Sequence, residues 1–261
     1  MLLRFEMRYT RWRVQPEPSN DRARSALLAA DGTLLAGLDA VGFLRCLLSM
    51  PRIFGRSAVV SSFGIESAVL LHHVSEIAPD TPVIFIDTRL HFEETLAFKE
   101  QLVNHLRLSD VRSFSIDPLS QKREDPKQRL HLTNPDRCCH VRKVEVLTRA
   151  LRGFDGWITG QKRHQSATRA ELGRVEWDAE RNKAKFNLLS DWSAESLVAY
   201  ADRYGLPRHP LLEKGYASVG CAPCTTPVAE SEDPRAGRWR GLEKRECGLL
   251  RNPHIIAASS A

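Results

Sequence analysis

The sequence predicts an α/β fold, a doubly wound, mainly parallel sheet with helices on its faces, and three observations predict it. Short apolar runs of strand length recur along the first two thirds of the chain. The stretches between them carry apolar residues at helical spacing. Each such stretch is long enough to bring the chain back for a right-handed parallel crossover. A chain of 261 residues with 42% hydrophobic residues can bury one sizeable core. One main α/β domain is therefore expected at 36–215, with an N-terminal extension at 1–35 and a tail at 216–261.

Taken in order, residues 1–35 join a basic, aromatic start to turn-forming residues around Pro16 and Pro18 and read as a loosely attached extension. From 34 to 50, Leu35, Leu38, Val41, Leu44 and Leu48 recur at helical spacing, and Pro51 closes the helix. Cys46 falls on its apolar side, as a small buried hydrophobe would. Strands are expected at 57–63, 82–87 and 111–116, with helices at 66–77 and 93–106 between them. Within the first of these helices, the adjacent His72 and His73 point about 100° apart, which suits packing rather than ligation. A polar, proline-punctuated loop at 117–135 leads to a helix at 137–151 that carries Cys138 and Cys139, and then to a strand at 156–159. The alternating, polar 175–189 stretch reads as a hairpin or an irregular excursion. Ser193 starts a helix that Gly205 and Pro207 end, and no periodic core pattern survives beyond Gly215.

Composition narrows the function. An excess of 38 Lys and Arg over 32 Asp and Glu, a net charge of +6, suits an anionic ligand, an acidic partner or nucleic acid. No run of 18 apolar residues occurs and the start has no apolar signal core, so neither a membrane span nor secretion is expected, and Glu6 speaks against an organelle transit sequence. A cytoplasmic location follows as the default. Six clustered cysteines do not make a secreted disulfide framework, and a reducing compartment turns them towards metal or redox work.

Ligands of such sheets sit beyond the carboxyl ends of the strands. After the first strand comes Ser61-Ser62-Phe63-Gly64-Ile65-Glu66-Ser67, whose backbone amides and helix start suit a phosphate oxygen, or serve only as a helix cap. The loop resembles the pyrophosphate loop of adenosine-nucleotide alpha-hydrolases, whose ATP-using members carry Ser-Gly-Gly-x-Asp-Ser. Here Ser62 and Phe63 replace the glycines and Glu66 the Asp, which argues for a nucleotide with a shorter anionic tail than ATP. Asp87-Thr88 ends the second strand as a second candidate loop. Thr159-Gly160-Gln161-Lys162-Arg163, with Ser166, Thr168 and Arg169 beyond it, offers cations and hydroxyls to an oxyanion.

The cysteines form a second constellation. Cys138 and Cys139 are adjacent on a helix, and Cys221-Ala222-Pro223-Cys224 sets two thiols on one side of a bend, so the four could chelate zinc or a [4Fe-4S] cluster. Ligand count does not separate the two. Cys247 stands near Lys244 and Arg245, where positive charge favours a nucleophilic thiolate.

Taken together, Ser61 to Gly64, Phe85 to Thr88, Cys138-Cys139-His140-Val141-Arg142-Lys143, Trp157 to Arg163, Gly220 to Thr225, Arg235 to Trp239 and Glu246-Cys247-Gly248-Leu249 resemble the assimilatory adenylylsulfate (APS) reductase branch of the APS/PAPS reductase family, in the family's order over about 55–250. The resemblance implies a [4Fe-4S] cluster on Cys138, Cys139, Cys221 and Cys224. It implies that Cys247 attacks the sulfur of adenosine 5'-phosphosulfate to give AMP and an S-sulfocysteine, from which thioredoxin or glutaredoxin releases sulfite. Lys143, Arg235 and Arg238 match residues that neutralise the phosphosulfate, and Arg163 and Arg169 match basic loop positions. Both cysteine pairs favour APS over PAPS, with dual use open. A homo-oligomer is compatible with the resemblance; nucleic acid and membranes are not implied. The family tail commonly ends Glu-Cys-Gly-Leu-His, whereas Leu250 stands here where the His would be. Two other classes compete: a zinc-bearing, ATP-dependent RNA thiolation enzyme of the same loop ancestry, which the missing double glycine and the Glu246-Cys247-Gly248 tail oppose, and a zinc-stapled nucleic-acid module, which the long α/β core opposes.

Overall fold

The structure, a computed structural model, describes residues 37–249. The expected N-terminal extension, the start of the first helix and Leu250 lie outside the described residues. A six-stranded sheet forms the centre, in the order β3-β2-β1-β4-β6-β5. Its strands are β1 (Ser57–Val60), β2 (Val83–Asp87), β3 (Val111–Ser115), β4 (Gly156–Thr159), β5 (Val175–Asp178) and β6 (Lys183–Asn187). All neighbours pair in parallel except β5 with β6. The apolar strands β1, β2 and β4 take the middle, as buried parallel strands must, and the more exposed β3 takes one edge.

Helices cover both faces. On one side α1 (Ala40–Ser49), α2 (Ser67–Ile77), α3 (Glu93–Leu106) and a later helix, Ala194–Arg203, bury Phe43, Leu71, Phe98 and Leu197 against Val59, Phe85 and Phe186. Asp39 caps α1 by accepting from Gly42 N at 2.7 Å, and Cys46 packs half-buried against this core. His72 and His73 join an aromatic cluster with Tyr200, Tyr204 and Trp192, so both pack. Val141, Val146 and Leu147 cover the other face, against Trp157 and Ile84. The doubly wound, mainly parallel sheet expected from the pattern is thus the observed one.

Two local expectations change and a third is sharpened. The 117–135 stretch is not only loop, because α4 (Pro118–Glu124) and a helical turn at Leu130–Thr133 lie in it. Asp117 accepts from Leu119 N and Ser120 N at 3.1 and 3.0 Å with Pro118 in the first turn, a start signal hidden by the absence of any buried face. The expected 137–151 helix consists of α5 (Pro135–Cys139), a π-helical turn at His140–Val144 and α6 (Glu145–Ala150). Finally, 175–189 is a hairpin whose second strand, β6, pairs in parallel with β4. Its polar residues disguise this, since Lys185 Nζ pairs with Glu176 at 2.6 Å and Asn187 donates to Gly173 O at 2.6 Å.

Sheet packing is close where β4 passes β6. A Cβ on Gly156 would lie 2.8 Å from the ring of the fully buried Phe186 and 3.2 Å from Ala184 O. Gly156→Ala is therefore expected to destabilise the fold by about 1–3 kcal/mol, as overpacking does, read as a lower denaturant midpoint at unchanged slope.

Candidate active site

The strand order reverses between β1 and β4, and their register sets Val60 opposite Thr159, so the loops that leave these strands lie side by side. Glu66, from the first loop, accepts from Lys162 Nζ at 2.7 Å and Gln165 Nε2 at 2.6 Å, both from the second. Burial disfavours the Glu66 carboxylate, but Lys162 outweighs it and holds its pKa below the usual value. Phe63 sits at φ 49°, the left-handed conformation a glycine would take, while its ring is fully buried edge-on against Phe85 at 5.6 Å. The loop thus keeps a glycine-like backbone path and sends the bulk of Phe63 into the core. Ser61 Oγ accepts from Phe63 N at 3.2 Å, and Ser67 N bonds Gly64 O at 3.0 Å, closing the turn into α2. Ser62 stays exposed at the loop surface.

Asn134 caps α5 by accepting from Arg137 N at 2.9 Å with Pro135 behind it, and α5 buries Cys138 and Cys139. The π-helical turn that follows rotates four successive residues, Val141 to Val144, into the interior. Arg142 reaches Thr88 O at 2.9 Å and the buried Asp125 at 2.8 Å. Thr88 Oγ1 in turn lies 3.3 Å from Cys221 Sγ. The C-terminal segment is laid along the β2 loop by an antiparallel bridge of Cys221 with His91 and by Ala222 N to Leu90 O at 2.7 Å. It then folds back, with Thr225 bridged to Arg238 and Trp239 N bonded to Cys224 O at 3.0 Å. Gly220 makes this close approach feasible, because a Cβ there would lie 2.1 Å from the Arg238 guanidinium. Asp87 accepts from Arg89 N at 2.8 Å and serves the turn itself.

The result is a convergence of sulfurs and cations. All six cysteines are unbridged, and Cys138, Cys139 and Cys221 are buried. Burial pushes the Cys138 thiol up to about 12 and Cys139 up to about 11, with neighbouring sulfurs adding to both. Burial also opposes ionisation of Cys221, yet Lys143, the Thr88 hydroxyl and Arg238 win and hold that thiol below its ordinary value. Lys143 is the reciprocal case: burial disfavours its charge, and Cys221, Cys247 and Cys139 together raise its pKa nonetheless. Arg238 is buried, donates to Val219 O at 3.3 Å and keeps a buried Nε without a partner among the described residues. Among the described residues, no three His, Cys, Asp or Glu side chains close into a cage for a single metal ion.

The site residues expected from sequence therefore divide. Cys138, Cys139, Cys221, Cys224, Lys143, Arg238 and Cys247 influence one another electrostatically and share one region, and Thr88 belongs to it. Arg235 and Arg169 are drawn in through Glu246, which accepts from them at 3.2 and 2.9 Å. Arg163 is engaged elsewhere, with Leu172 O at 2.8 Å and with Asp191. Sequence reasoning gave no individual role to Lys162, Arg142, Asp125 or Glu246. Lys162 and Arg142 lay inside the recognised motifs and Glu246 beside Cys247, whereas nothing local marked Asp125.

Comparison with known proteins places the chain in a family. Residues 56–227 match the family described as phosphoadenosine phosphosulfate reductase domain. The chain is 43% identical over 220 residues to an adenosine 5'-phosphosulfate reductase of Mesorhizobium japonicum, covering 82% of this chain and 86% of the relative. It is also 43% identical over 204 residues to a phosphoadenosine 5'-phosphosulfate reductase of Gloeobacter violaceus, covering 76% and 84%. Among solved structures, phosphoadenylyl-sulfate reductase from Candida auris superposes with a TM-score of 0.63 at 23% identity, over 77% of this chain and 96% of that one, a likeness of fold.

The Arg142–Asp125 pair is buried on both sides, with side chains 1% and 3% exposed. Breaking such a pair strands a charge, so Arg142→Met is expected to cost about 3–5 kcal/mol of stability, and adding Asp125→Leu should recover much of it in denaturant unfolding. Burial raises the Asp125 pKa, but the Arg142 hydrogen bond holds the folded value below the ordinary one. That contribution is present above the unfolded carboxyl pKa, about 3.9, and is lost as pH falls through the folded value. The gap between wild type and Asp125→Asn should accordingly narrow in acid.

Proposed function

The chain belongs to the phosphoadenosine phosphosulfate reductase family, and from that premise we propose that it reduces adenosine 5'-phosphosulfate to sulfite and AMP, with Cys247 as the nucleophile. One observation carries the reading: Cys247 lies within electrostatic reach of the buried Lys143 and of Arg235, at the same place where four further thiols converge. A thiolate beside fixed cations is poised to attack an anionic sulfuryl group that those cations also hold.

In this mechanism the Cys247 thiolate forms a bond to the sulfur of the phosphosulfate. The bond from that sulfur to the bridging oxygen breaks, and its electron pair leaves with AMP. Lys143, Arg235 and Arg238 neutralise the substrate's anions and the charge that gathers on the leaving phosphate, while the β1 loop from Ser61 to Ser67 takes the nucleotide end. A dithiol protein such as thioredoxin or glutaredoxin then attacks Cys247 Sγ and expels sulfite. Its second thiol resolves the mixed disulfide, so the two electrons come from the dithiol and Cys247 returns as a thiol. Such a cycle suits a reducing, cytoplasmic setting in sulfate assimilation.

Four unbridged cysteines, three of them within electrostatic reach of the buried Lys143 cation, suit an anionic thiolate-held group, so we assign Cys138, Cys139, Cys221 and Cys224 to a [4Fe-4S] cluster. Bound there, it would staple α5 to the C-terminal segment and act through its charge. Family membership removes the RNA thiolation and zinc-module readings. The Gloeobacter violaceus relative, equally similar, is named for the 3'-phosphorylated substrate, so PAPS is the second reading.

Cys247→Ser is expected to abolish both sulfite release and the covalent sulfonate adduct while iron and acid-labile sulfide stay at wild-type levels; continued accumulation of labelled adduct would refute the assignment. Anaerobically purified protein should absorb in the visible and contain iron and sulfide, whereas a colourless protein with one zinc would sink the cluster. Steady-state rates with both nucleotides side by side should favour APS.

A further inference from the structure

Glu246 immediately precedes the nucleophile and takes no part in the chemistry above, yet its carboxylate accepts four hydrogen bonds. Its Oε1 accepts from Arg169 Nε at 2.9 Å and Thr168 Oγ1 at 3.2 Å, and its Oε2 accepts from Arg169 Nη2 at 2.9 Å and Arg235 Nη2 at 3.2 Å. Arg169 is itself fixed, with a side chain 9% exposed and Nη1 donating to Gln165 Oε1 at 2.5 Å. The other end of that amide, Gln165 Nε2, donates to Glu66 at 2.6 Å in the β1 loop. An unbroken line of polar contacts therefore runs from the nucleotide loop, through Glu66, Gln165 and Arg169, to the residue that holds Cys247.

We propose that Glu246 is the positioning residue that docks the nucleophile, clasped by Arg169 and Arg235 so that Cys247 stands at the site once the β1 loop is in place. The clasp rests on the reading of Cys247 given above. Two-pronged arginine–carboxylate contacts fix orientation as well as distance, which a single lysine would not do. Arg235 spends only Nη2 on the tail, donating from it to Glu246 and to Arg245 O at 3.0 Å. Among the described residues, its Nε and Nη1 make no hydrogen bond and remain available to an anion. The guanidinium can thus hold the tail with one corner and substrate with another.

The test uses full-length, anaerobically purified enzyme. Glu246→Gln should slow single-turnover S-sulfocysteine formation by about tenfold or more while substrate affinity, measured with Cys247→Ser also present, changes by less than about twofold. Glu246→Asp should restore part of the rate, and sulfite release from preformed adduct should be unaffected. Without substrate, amide hydrogen exchange over 240–249 should accelerate in both Glu246→Gln and Arg169→Met, and the double variant should be no faster than either single one. Unchanged exchange in either variant overturns the proposal. So does tighter substrate binding by Glu246→Gln with an unchanged adduct rate, which would make Glu246 a stand-in for the substrate anion. Should the variants show the exchange pattern while wild type forms no adduct, the reductase reading fails and the clasp stands.

Discussion

Lys143 is almost wholly buried, and an ammonium removed from water is costly unless anionic or anion-forming groups surround it. Here those groups are sulfurs: Cys221, Cys247 and Cys139 all raise its pKa against the pull of burial. These partners come from three places, the α5 helix, the bend at Gly220 to Cys224 and the tail. The three converge on one cation, and the C-terminal segment, which has no apolar pattern of its own, is laid beside it by backbone bonds.

Backbone geometry makes the convergence feasible. The π-helical turn at His140–Val144 directs Arg142 and Lys143 inward together, where a regular helix would spread four successive residues around its circumference. Arg142 ties this turn to the β2 loop through Thr88 and to the α4 region through Asp125. The C-terminal segment is then set by backbone bonds and by glycines at Gly220 and Gly237, where a Cβ would lie 2.1 Å from Arg238 and 2.0 Å from Thr226 O. Hydrogen bonding and close backbone approach replace hydrophobic burial as the means of holding this part of the chain.

A comparable balance governs the β1 loop. Phe63 accepts a left-handed conformation, which costs a bulky residue about 1–2 kcal/mol, and its burial against Phe85 offsets that strain. The loop is braced from β4 by Lys162 and Gln165 on Glu66, so the two loops at the strand-order reversal behave as one surface. Charge at the site is shared among fixed donors, with burial lowering Arg235 to about 10, still protonated at neutral pH.

How much of this was legible in the sequence follows from what sequence patterns encode. Periodicity records whether a residue faces a core, so the parallel sheet, its central strands and α2 and α3 could be read directly. Short motifs record local chemistry, so the two cysteine pairs, the Ser61–Ser67 loop and Cys247 stood out before any coordinates. The place of β6 was hidden because Lys185 and Asn187 satisfy their polar groups on Glu176 and Gly173, giving a core strand the pattern of a surface one. Which cation serves the site was equally hidden: Arg163 and Arg169 are equivalent in sequence, yet Asp191 takes the first while Glu246, 77 residues away, takes the second. Such pairings are long-range and depend on strand register, which sets the β1 and β4 loops side by side. By itself, then, the sequence determined the fold class and the chemical inventory. Only the tertiary structure decided which buried charges meet, because a desolvated charge selects its partner by proximity in the folded chain.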